Sequence, residues 1–110
     1  MMKLAMSPAA SGLLRSLLQR AEVTRDRILL TEWRSVDWQS LTLIGERHQV
    51  RLRIPGPGAA EIAERITDGL EDAEFCIPRQ IVADITVTGR PRALEDGAIE
   101  LTMEALTVEE

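Results

Sequence analysis

The sequence predicts an α+β fold, a two-layer sandwich in which an antiparallel sheet of about five or six strands carries two helices packed on one face. Three observations lead there. Apolar residues recur at helical spacing in two separated stretches, residues 7–22 and 59–73. Between and after them the period drops to two, in segments of strand length joined by short links. Runs of adjacent strands favour antiparallel pairing, and helices with one apolar face must bury it against a shared sheet.

Size and composition are those of one globular domain spanning residues 1–110, with residues 1–6 expected to be an unordered N-terminus. The chain has 110 residues, 45% of them hydrophobic and 28% charged, far from the composition of disordered chains. A single cysteine, Cys76, excludes an intramolecular disulfide. The opening MMKLAMSPAASGLL is broken by Ser7, Pro8 and Ser11, which is poor for the apolar region of a secretory signal. No segment reaches the roughly 18 consecutive apolar residues that cross a bilayer. The expected location is the cytoplasm, with no membrane partner.

The elements follow in order. In SPAASGLLRSLLQRAE, Ser7 is placed to cap a helix with Pro8 at its first position, where the missing N–H costs nothing. Leu13, Leu14, Leu17, Leu18 and Ala21 then form one stripe. RILLTEWRS (27–35), SLTLIG (40–45) and HQVRLRI (48–54) read as three strands, with a first turn at RSVDW flanked by Trp33 and Trp38. In the third, Val50, Leu52 and Ile54 share one face, and Gln49, Arg51 and Arg53 the other. PGPG (55–58) ends it, and a second helix repeats Ile62, Ile66 and Leu70, with Glu61 in its first turn. EFCIP (74–78) is read as a short strand. QIVADITVTG (80–89) alternates Ile81, Ala83, Ile85 and Val87 against Val82, Asp84, Thr86 and Thr88. AIELTMEALTV (98–108) alternates as far as Ala105, where the change of parity to Leu106 and Val108 predicts a bulge or a change of burial.

Charge is distributed unevenly. Residues 1–55 hold nine Lys/Arg and five Asp/Glu, whereas residues 56–110 hold four and thirteen, within a formal net charge of −5. The densest basic stretch is RHQVRLRI (47–54), with three arginines and the only histidine. On the predicted sheet Arg47, Arg51 and Arg53 project away from the helices, as do Asp84, Thr86, Glu100 and Glu104 from later strands. Opposite charges on neighbouring strands stabilise a sheet by about 0.2–1 kcal/mol per pair, so the basic strand is expected to be answered within the chain. Nucleic acid is disfavoured as a partner. Sheet-based readers of single strands stack bases on aromatic rings, and this chain has two Trp, one Phe and no Tyr.

Other chemistry finds little support. One His and one Cys cannot make the usual zinc sets, and DGLEDAE (68–74) lacks calcium-loop spacing, so no metal and no cofactor is expected. Cys76 lies between Phe75 and Ile77, where a thiol behaves as a small buried hydrophobe, and His48 is read as solvated at a hairpin tip. No catalytic residue is assigned. The expected role is non-catalytic protein–protein association, as a homodimer or accessory subunit. The contact is assigned to a sheet edge or to the mixed face of Arg47, Arg51, Arg53, Val82, Asp84 and Thr86, with Trp33 as a candidate contact residue. The alternative is a small anionic ligand, or a minor enzymatic role using His48, at Arg51, Arg53 and the Gly56–Gly58 helix start.

Overall fold

The computed structural model describes residues 6–110. The expected unordered stretch at residues 1–6 therefore lies, Met6 apart, outside the described residues. Helix α1 spans Pro8–Ala21 and helix α2 Ala59–Thr67; the strands are β1 (Leu29–Gln39), β2 (Ile44–Ile54), β3 (Gln80–Val87), β4 (Arg92–Ala93) and β5 (Ile99–Glu109). All strand pairs are antiparallel, in the order β1-β2-β5-β3, and the short β4 joins β5 beyond the end of β3. This is the α+β sandwich with five strands and two helices.

Helix α1 starts as its sequence dictates. The Ser7 hydroxyl oxygen accepts from the Ala10 N–H at 3.1 Å, with Pro8 next in the chain. Leu13 and Leu17 are fully buried, while Leu14 and Leu18 are partly buried at the border of the core. Helix α2 buries Ala59, Ile62, Ala63 and Ile66 and stops at Asp68 and Gly69, short of residue 73, where Leu70–Asp72 form a 3₁₀ turn. Its N-cap, Gly58, has φ +79°, a conformation that a side chain would strain.

The C-termini of the two helices brace each other. The Arg20 guanidinium donates to the Ile66 carbonyl at 2.9 Å and to the Asp68 carbonyl, and Arg65 donates to the Ala21 carbonyl at 3.2 Å. Each arginine thus satisfies carbonyls left open at the other helix's end and sets a positive charge at its negative dipole pole.

Both helices cover one face of the sheet. There Leu52, Ile54, Leu101 and Met103 are fully inaccessible and share a core cluster with Leu13, Leu17 and Ile66. Burying a side chain of this size contributes about 1.5–3 kcal/mol, so these residues anchor the sandwich.

The strands differ from expectation in four places, the first being that SLTLIG is not a strand of its own: residues 40–43 form a turn and Ile44 and Gly45 begin β2. β1 runs straight through RSVDW to Gln39, and the turn is at Ser40–Leu43, where the Ser40 hydroxyl accepts from the N–H groups of Thr42 and Leu43. Ser40 closes the turn, although the residues inside it are largely apolar. EFCIP is not a strand; only Ile77 makes an isolated bridge, to Gln80. Near Ala105 the change is one of burial, with Thr107 and Val108 both buried, and the bulge lies on the neighbouring strand. Pairing slips between Val82 and Asp84, so Ala83 is the extra residue, and β5 keeps its alternation through Ala105 and Thr107. The slip turns Val82 toward the core and Ile81 to the open face, the reverse of the simple alternation.

Candidate functional site

Register defines the open face of the sheet row by row. At the hairpin end, Ile81, Val108, Gly45 and Trp38 stand side by side from β3 to β1. The next row holds Asp84, Leu106, Arg47 and Val36, and the one after it Thr86, Glu104, Gln49 and Arg34. Beyond these come Thr102, Arg51 and Glu32, then Arg92, Glu100, Arg53 and Leu29. The face is therefore apolar at one end and charged at the other.

The charged end is answered from within the chain. Arg51 pairs with Glu32 at 3.4 Å, and Arg53 pairs with Asp96 in the loop before β5. Gln49 donates to Glu104 at 3.3 Å. Among the described residues Arg34, Arg47 and Asp84 have no ion pair and no side-chain hydrogen bond. They lie within the two rows that border the apolar one. A hollow of about 290 Å³ opens there, lined in part by Arg34, Val36, Arg47, Gln49 and Glu104.

The apolar end is exposed. Val36 is 52% exposed and Ile81 47%, Val108 between them is buried, and the hairpin tip adds the exposed Leu41 and Leu43. Gly45 adds no side chain to the first row and has room for none, because a Cβ there would stand 1.9 Å from the Thr107 carbonyl oxygen. The close approach of β2 to β5 requires glycine at this position.

The inner face carries a buried polar chain that the sequence reading placed in solvent. His48 shares the parity of Val50, Leu52 and Ile54 and is 1% exposed. Its Nδ1 lies 2.7 Å from Ser35 Oγ and its Nε2 2.9 Å from Thr107 Oγ1. Trp33 Nε1–H can only donate, and it donates to Ser35 Oγ at 2.9 Å. The Ser35 hydrogen is then free for Nδ1, which leaves Nε2–H to donate to Thr107. A neutral imidazole satisfies this chain. Burial pushes the His48 pKa below its usual value, outweighing the opposing pull of Glu46. Trp33 meets the His48 ring edge-on, at 5.7 Å between centroids. It is half-buried and packs on the core, which gives it a structural task on the inner face.

The other candidates are dispersed. Arg51 and Arg53 lie on the open face, where each is ion-paired, whereas Gly58 begins the helix that covers the opposite face. Cys76 is exposed, not buried, because the 74–78 segment is irregular and turns only Phe75 and Ile77 inward. His48 and Asp84 occupy opposite faces of the sheet, so these two and Cys76 do not come together as a nucleophile, base and acid. Among the described residues no cluster of three His, Cys, Asp or Glu side chains could hold a metal ion, and no helix is long and apolar enough to cross a membrane.

No protein-family model matches the chain, and no curated protein matches it. A solved structure does. A chain in the virion of a native gene transfer agent (GTA) particle superposes with a TM-score of 0.60. The match covers 94% of this chain and 99% of that one, at 13% sequence identity. At that identity the likeness is one of fold.

Proposed function

We propose that this chain is a non-catalytic assembly subunit, and that the hairpin end of its open sheet face is buried against protein, copies of itself included. The observation that carries the proposal is the exposure of Val36 and Ile81, with Trp38 and Leu106 half-buried beside them, at the hairpin end of a face whose other residues, Leu29 apart, are mostly ion-paired or polar. An exposed apolar patch rimmed by polar residues is the mark of a protein–protein contact. The likeness in fold to a chain of a virion particle supports the same role, since such a particle is built by association of subunits. Arg47 and Asp84 keep the contact role assigned from sequence; Arg51 and Arg53, answered within the chain, sit at its rim, and Trp33 supports the sheet from behind.

The test is sedimentation velocity on the full chain and on a V36S/I81S variant. Both positions are exposed, so the variant should keep its fold and circular dichroism spectrum. The expected result is an assembly whose mass is a multiple of 12.2 kDa and which the variant dissolves. A wild-type monomer, or an assembly indifferent to the double substitution, overturns the proposal.

A further inference from the structure

The open face is not merely apolar at one end. In the two rows bordering the apolar one, its halves carry opposite charge: β1 and β2 contribute Arg34 and Arg47, whereas β5 and β3 contribute Glu104 and Asp84. Arg47 and Asp84 flank Leu106 in a single row. They are two strand spacings apart, about 9–10 Å, which is wide for an ion pair within the chain. Both are left without a charged partner among the described residues.

We infer that the occupant of this face is a second copy of the chain, packed sheet to sheet about a two-fold axis that runs along the strands between β2 and β5. The inference rests on the assembly reading above and names its partner. Such an axis lays β1 of one copy over β3 of the other and β2 over β5. Basic half then meets acidic half twice, as an isologous contact demands. Arg47 of each copy comes over the partner's Leu106, one strand from the partner's Asp84. In the first row Trp38 faces the partner's Ile81. Facing sheets pack about 10 Å apart and within about 30° of parallel, a rotation that shifts a neighbouring strand by only about 2–3 Å, within the reach of an arginine.

Three strands of 11 residues and one of 8, about 4.8 Å apart, give a face of roughly 650 Å² per copy, approaching the ~800 Å² of a standard interface. Area alone does not set affinity, and contacts of standard size range from about micromolar to picomolar. Sedimentation over a wide range of protein concentrations therefore reads both the loss and the recovery of the dimer.

Two variants reverse one half of the face each: R34E/R47E and D84R/E104R. Alone, each sets like charges against like and should weaken dimerisation about a hundredfold, leaving a species of 12.2 kDa. Mixed one to one, they present glutamate to arginine and arginine to glutamate, and should recover a dimer by sedimentation equilibrium. Recovery on mixing also shows that both variants are folded. Several results would overturn the inference. A wild-type assembly of three or more copies, dissolved by V36S/I81S, would leave the assembly reading standing and remove the two-fold dimer. Charge variants that dimerise as well as the wild type, or that stay apart when mixed, would do the same. A wild-type monomer under all conditions would remove both readings together.

Discussion

Replacing His48 tests the buried polar chain that ties β1, β2 and β5 together. In H48A the Ser35 and Thr107 hydroxyls lose the imidazole that answers both. Leaving a buried polar group unsatisfied costs about 1–3 kcal/mol, and the emptied ring volume adds a cavity. A total of about 3–4 kcal/mol follows, a large share of the roughly 5–15 kcal/mol that holds a domain together. For a chain of this size it lowers Tm by about 12–16 °C. The pH dependence is the sharper signature. The folded-state pKa of His48 is lowered, so the unfolded chain takes up its proton first, near pH 6.5. The stability contributed by the neutral ring is full above that value, is lost as pH falls through it, and stops falling once the folded form is protonated too. Because this is the only histidine, the H48Q variant should lack that slope while keeping its fold. Urea unfolding followed by tryptophan fluorescence, between about pH 7.5 and 5.5, reads both effects. Parallel stability curves for wild type and H48Q, or a loss below about 1 kcal/mol in H48A, would refute the reasoning.

Other outcomes follow from the same geometry. Gly45→Ala must push β2 away from β5, since its Cβ would collide with the Thr107 carbonyl; we expect a loss of at least about 2 kcal/mol, read by thermal melts, together with faster amide exchange at the hairpin end. Ser7→Ala removes the cap of α1 and a 2.7 Å hydrogen bond to Glu46, and should cost about 1–2 kcal/mol in urea unfolding. Arg20→Ala uncovers two carbonyls at the end of α2 and should destabilise by about 1–2 kcal/mol. Arg51→Gln, which breaks an exposed pair with Glu32, should change stability by less than about 0.5 kcal/mol in the same assay.

Much of this architecture is legible in the sequence, for identifiable reasons. Ser7 and Pro8 announce α1, and the alternation of Val50, Leu52 and Ile54 fixes which face of β2 is inside. Arg51 and Arg53 are answered within the chain as expected, but by Glu32 on β1 and Asp96 in the loop before β5 and not by Asp84, Glu100 or Glu104. What escapes is governed by exceptions to period. Ser35 and Asp37 put polar side chains on the inner side of β1, which disguises a continuous strand as a turn. The Ala83 bulge exchanges Ile81 for Val82 on the open face, and so hides half of the apolar row from any simple count. His48 was within reach, because it lies on the parity of three buried residues; a lone imidazole on an apolar face calls for partners, and Ser35 and Thr107 come from strands whose pairing only the folded chain defines. The charge asymmetry between the two halves of the sequence acquires spatial meaning in the same way. The order β1-β2-β5-β3 sets the basic half beside the acidic one on a single face.

The measurement that bears most directly on the assembly role is hydroxyl-radical footprinting of the full chain at low and high protein concentration, with modified side chains located by mass spectrometry. The open face predicts that Val36, Trp38, Ile81 and Leu106 lose reactivity as concentration rises through the micromolar range, while Leu14 and Leu18, which border a separate apolar groove of about 460 Å³ between α1 and β1, keep theirs. Protection confined to that groove, with the open face unchanged, would contradict the account.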